Sequence, residues 1–315
     1  MRLLDYFLTY DFGHHQFGWE PGTLAFRTGL SKMPFTMARW LSGKEFEFTD
    51  RSVASSFFDV NRSLAWGLYG KTRRTRIPIE WETAIFNGFV TGGAETGSSG
   101  ALDDNFAYSL RLAAHPIGQW GAGQLADFEF HDQLAMRIGC AAAATTVNRL
   151  SGTTGGTEFN SIRVVDSGRT LASILPSSVD NYSVTQFALD ASLKRRGWSS
   201  SLEYYFRSIH AFNDRTVRDL FDHGFWYQLG YFVVPGRVQL LTRWSRVVGD
   251  SGTLGIRQQS ADELAGGLAW YFRENHSKLV VDVTQLNGAP INSAALDISP
   301  RDNGWLYRMQ IQFSF

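Results

Sequence analysis

The chain has 315 residues, 14% of them aromatic, and its 30 Lys and Arg residues are balanced by 30 Asp and Glu residues. This charge balance argues against nucleic acid as a partner, because nucleic-acid-binding domains are usually basic. There is no uncharged apolar run as long as a membrane-spanning helix, and the single Cys140 excludes an internal disulfide. The composition is compatible with a membrane β-barrel, since apolar and polar residues alternate along barrel strands and the hydropathy averages out over each strand.

Alternation of apolar and polar residues predicts six strands in the first half of the chain. They are Leu3–Tyr10, Thr23–Lys32, Leu64–Gly70, Ile77–Asn87, Phe106–Leu112 and Leu134–Cys140. Between the second and third strands, residues Met33–Asn61 break the alternation with Pro34, Gly43 and charges of both signs. This stretch is therefore predicted to be one long, partly ordered loop.

The second half of the chain predicts seven further strands, which brings the total to thirteen. They are Ser183–Lys194, Trp198–Ile209, Phe225–Val233, Arg237–Val247, Glu263–Arg273, Lys278–Leu286 and Asn303–Phe315. The connections between them alternate between tight turns and long polar loops. Transmembrane barrels show this asymmetry, with short turns on the periplasmic side and long loops outside.

The last strand indicates which solvent each face meets. One face is apolar throughout and the other carries Arg308 with two Gln; the apolar face consists of Trp305, Tyr307, Met309, Ile311, Phe313 and Phe315. We expect an all-β transmembrane antiparallel barrel whose apolar face meets lipid. A soluble β-sandwich, which would use the same face as its core, is the alternative.

Four short motifs resemble the phosphate-selective porin O/P family of outer-membrane porins. They stand in the family's order at Thr28–Phe35 (TGLSKMPF), Thr49–Ser52 (TDRS), Ile85–Gly88 (IFNG) and Gly230–Gly236 (GYFVVPG). In the family, the first motif connects the end of a strand to the constriction loop, and the second motif lies within that loop. The resemblance therefore implies that residues 33–61 fold into the lumen as a constriction.

The resemblance also implies a sixteen-stranded barrel that assembles as a homotrimer. A closed antiparallel barrel in one chain normally has an even number of strands, so a count of thirteen means either that one strand has been missed or that the chain lacks its beginning. Both arguments agree on the expectation that residues 1–315 are a single barrel domain without its N-terminal part, including the signal peptide, and the resemblance implies that this part contains three strands.

Basic residues on the predicted polar faces and in the long loop are the candidates for lining a pore and binding anions. They are Arg27, Lys32, Arg39, Lys44, Arg51, Arg111, Arg137, Arg207, Arg243 and Arg308. The polar strand faces also carry acidic residues, including Glu82, Asp190 and Glu263, so two alternatives stay open. Either unpaired cations favour anions, or opposite charges pair across strands and leave little net field.

Arg27 and Lys32 are predicted to form the unpaired basic patch, because Arg27 lies on the strand that leads to the loop. Where the family has Gly-Arg-Phe-Lys, residues Gly29–Lys32 read Gly-Leu-Ser-Lys and lack one basic residue. We therefore predict a modest anion preference without high phosphate affinity.

The predicted function is passive diffusion of small hydrophilic solutes, including small anions, across the bacterial outer membrane, with membrane lipid as the other partner. A plugged, non-conducting structural or adhesive barrel is the alternative. No cofactor or metal is predicted, since the adjacent His14 and His15 would point apart on an extended chain. No enzyme activity is predicted either, because Ser, His and Asp residues are scattered without a nucleophile elbow.

Overall fold

The structure is a computed structural model that describes residues 5–72, 75–91, 105–121, 125–149, 158–165, 170–250, 254, 260–293, 297–299 and 301–314. Leu3, where the first predicted strand begins, and Phe315, where the last ends, lie outside this range. Within the described residues, no helix is both long and apolar enough to cross a membrane.

The chain forms one antiparallel sheet of thirteen strands, in which each strand pairs with its neighbours in sequence. The strands are β1 Tyr6–Tyr10, β2 Ala25–Ser31, β3 Ser63–Thr72, β4 Ile79–Asn87, β5 Ala107–Ile117, β6 Ala135–Asn148, β7 Asn181–Arg195, β8 Trp198–His210, β9 Leu220–Val234, β10 Val238–Asp250, β11 Ser260–Arg273, β12 Ser277–Asn287 and β13 Asn303–Phe313. Three short helices are α1 Phe12–Phe17, α2 Met37–Trp40 and α3 Val53–Phe58. The all-β class and the strand count are confirmed. The described residues of β1 and β13, the two edge strands, do not pair with each other.

The sheet has one apolar face that is exposed along nearly every strand. On β13 the exposed fractions are 60% for Trp305, 73% for Tyr307 and 71% for Met309. Other strands present further large apolar side chains on this face, such as Leu110, Leu189, Trp244, Leu264 and Trp270. So large an exposed apolar surface is costly in water and stable in lipid. The face predicted to meet lipid is thus the outer face of the sheet.

The opposite face of the sheet, which we call the wall, lines the interior. Residues 33–61, which we call the inner loop, lie within it and carry α2 and α3. Phe35, Phe57 and Phe58 of the inner loop are fully buried, in one apolar cluster with wall residues such as Tyr205 and Val247. Further apolar side chains join the same cluster from the β6–β7 connection, including Phe159, Ile162 and Leu171. The interior therefore combines an apolar core with a polar wall.

The short turns lie at one end of the sheet, as predicted, and the inner loop enters from the other end. Pro235 and Gly236 form the β9–β10 turn, in which the Arg237 N–H donates to the Val234 carbonyl at 2.9 Å. The β5–β6 connection is at the short-turn end too, because Ala135 pairs with Lys194 beside the β7–β8 turn. It is long, and its Phe130 packs on Phe232 with ring centroids 5.6 Å apart.

Candidate functional site

The inward wall of the sheet carries a series of buried ion pairs. Each joins an Arg to a carboxylate on another strand: Arg111 to Asp190 at 2.5 Å, Arg207 to Asp222 at 2.5 Å, Arg243 to Glu263 at 2.5 Å and Arg308 to Asp282 at 2.9 Å. Pairing of this kind neutralises most of the field that the Arg residues would exert on a passing ion. At these positions the wall follows the paired alternative of the two that the sequence left open.

The wall binds the inner loop through the N-terminus of α3. The Val53 N–H donates to Glu263 Oε2 at 2.6 Å, and the Ala54 N–H donates to Ser245 Oγ at 3.0 Å. Within the loop, Ser52 caps the helix by accepting from the Ser55 N–H at 3.0 Å. The first N–H groups of a helix have no partner inside it and favour a negative charge. The carboxylate of Glu263 therefore both anchors α3 and forms the ion pair with Arg243.

A second carboxylate, Glu203 of β8, holds α2 in the same way. It accepts from the Met37 N–H at 2.5 Å. Its other hydrogen-bond partners are the Ala38 N–H at 3.4 Å, the hydroxyl of Tyr205 at 2.8 Å and the indole N–H of Trp226 at 3.1 Å. Every one of these groups is buried, so they hold the carboxylate in one position and fix where α2 lies.

Wall cations bind carbonyl groups of the inner loop. Arg111 donates to the Phe35 carbonyl at 2.9 Å and Arg243 to the Asp50 carbonyl at 2.8 Å. The ammonium of Lys278 donates to the Phe46 carbonyl and, at 2.8 Å, to that of Lys44. The paired Arg residues and Lys278 thus donate to carbonyl groups of the loop, and the loop is fixed to the wall along much of its length.

Glu47 is a buried carboxylate that the inner loop itself contributes. It accepts hydrogen bonds from Gln228 at 2.5 Å, Ser199 at 3.1 Å and Gln239. Burial raises the pKa of Glu47 above its usual range, because its hydrogen-bond partners are neutral and compensate only in part for the lost water. Glu47 acts as an anchor of the loop, a role that the sequence did not predict.

Arg27 is not the unpaired cation that the sequence predicted. Its guanidinium lies 2.6 Å from Glu82 and also stacks on Phe7 and Tyr69. Glu82 lies on β4, two strands away from Arg27 on β2, so the sequence pattern does not predict this contact. Arg39 is likewise paired, to Asp59 at 2.5 Å inside the loop, while the side chain of Lys44 is exposed.

Lys32, which precedes the inner loop, and Arg51, within it, are two of the basic residues that have no carboxylate partner in the part of the chain that the structure describes. Lys32 donates to the Leu41 carbonyl at 2.9 Å, and Arg51 donates to the Ala38 carbonyl at 3.2 Å and stacks on Phe46. Among the described residues, neither has a carboxylate oxygen within 4.0 Å. Burial, together with nearby cations, lowers the pKa of Lys32 to about 8. Burial also lowers the pKa of Arg51.

The sequence matches no family model and no curated protein. The structure is similar to OmpT, an outer membrane protein of Vibrio cholerae folded in vitro, with a TM-score of 0.50 and 10% identity over 85% of this chain and 67% of that chain. A loop L8 deletion mutant of that OmpT gives a TM-score of 0.50 and 9% identity over 85% and 71%. The chain has the fold of an outer-membrane β-barrel. The predicted localisation, the bacterial outer membrane, is confirmed by this fold and by the apolar outer face.

Two expectations from the sequence change with this result. The similarity supports an outer-membrane barrel and does not extend to the phosphate-selective porin O/P family, so that membership is a proposal only. The prediction that the chain is not an enzyme is withdrawn. It rested on the lack of a recognised catalytic pattern, whereas the likeness to OmpT establishes a fold that does not exclude catalysis.

Proposed function

We propose that this barrel is a pore for passive diffusion of small hydrophilic solutes, with a modest preference for anions. The observation that carries the proposal is the inner loop, fixed to the wall by Glu203, Glu263 and Lys278, together with Lys32 and Arg51, which have no carboxylate partner among the described residues. A loop held inside a barrel narrows the path of a solute, and unpaired cations at a narrow point attract anions. The paired wall Arg residues keep the preference modest.

Anion preference is expected to depend on Lys32 and Arg51. Replacing both with Ala should reduce the anion-to-cation permeability ratio by roughly half or more, because selectivity in pores follows the local charge. The measurement is the reversal potential in a potassium chloride gradient across a planar bilayer. Arg27→Ala is the matched control, and we expect a smaller change because Arg27 is paired to Glu82. An unchanged ratio in the double variant would show that the preference lies elsewhere.

The preference is also expected to depend on pH through Lys32. With a pKa of about 8, Lys32 is charged below that pH and loses its charge as the pH rises through it. The permeability ratio should therefore fall between pH 7 and pH 9, while the guanidinium of Arg51 keeps part of the preference. Lys32→Arg should retain more of the ratio at pH 9 than the wild type does, and Lys32→Ala should remove the part of the dependence between pH 7 and pH 8, below the lowered pKa of Arg51 of about 9. A wild-type ratio that rises with pH contradicts this role.

A plugged, non-conducting barrel is the second candidate. The apolar cluster inside the sheet favours it, since Phe35, Phe57, Phe58 and Phe159 are all fully buried there. Such a barrel would insert into bilayers without conducting, which separates it from the pore.

A homotrimer and phosphate as a permeating ion belong to the proposal as well. They are supported by the four motifs shared with the phosphate-selective porins and by the place of the first motif, which leads into the inner loop. Titrating phosphate against the chloride current tests the second point: weak block is expected, because Gly29–Lys32 has one basic residue fewer than the family's motif.

A further inference from the structure

A cavity of about 210 Å³ lies between the inner loop and the wall, nearer the short-turn end. Trp40 and Glu45 of the inner loop line one side, and Glu80, His115 and Arg137 of β4, β5 and β6 line the other. Trp120, from the β5–β6 connection, also borders it. The exposed Gly121 lies at its margin, so the cavity has access to solvent.

Arg137 differs from the paired Arg residues of the wall. It is 2% exposed, and among the described residues no carboxylate lies within 4.0 Å of its guanidinium. The guanidinium stacks on the Trp40 ring, 4.7 Å from its centroid, and its buried Nη2 has no hydrogen-bond partner among the described residues. A buried guanidinium N–H without an acceptor is unfavourable unless a ligand supplies one.

Two more polar atoms at this cavity are buried and have no hydrogen-bond partner in the part of the chain that the structure describes. They are the indole Nε1 of Trp120 and Nδ1 of His115. Trp120 also stacks with a cation, since the ammonium of Lys194 lies 4.3 Å from its ring centroid. A guanidinium and an indole N–H at one cavity provide two donors for the two oxygens of a carboxylate.

The cavity also carries negative charge. Glu45 and Glu80 are half-buried side chains on its lining, and carboxylates accept hydrogen bonds from ammonium or hydroxyl groups. A simple anion would use the donors and meet repulsion from these two residues. A solute with a carboxylate and a donor group close to it would satisfy both sets.

We propose that this cavity binds a small carboxylate whose adjacent carbon carries an ammonium or a hydroxyl group, that is, an α-amino acid or an α-hydroxy acid. Arg137 and Trp120 donate to the carboxylate, and Glu45 and Glu80 accept from the donor group. The size of the cavity suits a solute of a few carbon atoms. Binding requires only the folded barrel, so it does not depend on the proposed pore.

Ligand-observed saturation-transfer NMR on the detergent-solubilised protein tests the proposal, with L-alanine, L-lactate, acetate and methylammonium as probes. We expect alanine, lactate or both to bind, and acetate and methylammonium to bind about tenfold more weakly or not at all. Binding of alanine alone identifies an amino acid site, and binding of lactate alone a hydroxy acid site. The proposal is overturned if acetate binds as tightly as alanine and lactate, or if neither alanine nor lactate binds.

Variants separate this site from adventitious binding. Trp120→Phe keeps the ring and removes the indole N–H, and loss of one hydrogen bond to a charged group should weaken binding about tenfold. Trp244→Phe, on the apolar outer face, is the matched control and should leave binding unchanged. Glu80→Gln should weaken alanine binding more than any residual acetate binding. If Trp120→Phe and Trp244→Phe bind the probes with the same affinity while both fold like the wild type, the cavity is not the binding site.

Discussion

Deleting Arg39–Asp50 and joining Ala38 to Arg51 through two glycines is expected to raise the single-channel conductance roughly twofold or more, because conductance follows the narrowest part of a pore. The Arg51 side chain donates to the Ala38 carbonyl at 3.2 Å, so the two residues that flank the deletion lie within reach of a two-glycine linker. The deletion keeps the anchors of Glu203 on Met37 and of Glu263 on Val53, and it removes the middle of the inner loop.

The control for this deletion is a shortening at the same end of the barrel outside the lumen. Removing the exposed Arg215 and Thr216 from the β8–β9 connection should leave the conductance at the wild-type value. An unchanged conductance after the inner-loop deletion, in protein that inserts normally, would show that residues 39–50 do not narrow the path.

Replacing Glu263 with Ala is expected to lower the free energy of unfolding by about 3–5 kcal/mol, because it leaves the buried guanidinium of Arg243 without its partner. The same change removes the acceptor of the Val53 N–H and so releases α3 from the wall. The measurement is urea unfolding of the protein in lipid vesicles, and protease sensitivity of the inner loop should rise with it.

The adjacent residue Asp262 offers a matched control. It faces Arg246 at 3.7 Å on a partly exposed surface, and such pairs contribute at most about 1 kcal/mol. Asp262→Ala should therefore change stability by less than about 1 kcal/mol. Replacing both Arg243 and Glu263 with Met should recover much of the stability, since a buried ion pair and an apolar pair of similar volume are often equivalent. Equal losses for Glu263→Ala and Asp262→Ala would contradict the anchoring role.

Strand number and outer face were predictable because alternation is a local property of the sequence. β8, for example, runs from Trp198 to His210, and the prediction was Trp198 to Ile209. The prediction was short for β6, which continues to Asn148 beyond the predicted end at Cys140. Residues 141–144 are all Ala, and with the same small side chain on both faces they leave no alternation to detect.

The partners of the site residues were not predictable from the sequence. Arg27 and Glu82 lie on strands separated by β3, and Arg111 and Asp190 on strands separated by β6, so cross-strand register alone does not join them. Apart from Glu47, the anchors of the inner loop use backbone N–H and carbonyl groups, which nearly every residue has whatever its side chain. Only the mixed charges and aromatic residues of 33–61 gave a signal for its place, together with the family resemblance.

The single-channel current of the unaltered protein in a planar lipid bilayer tests the central proposal most directly. A pore narrowed by the inner loop predicts stable current steps whose size increases linearly with voltage. In a salt gradient it predicts a reversal potential with the sign of an anion-selective pore. Protein shown to be inserted and folded, yet silent over the same voltages, would contradict the pore and support the plugged barrel.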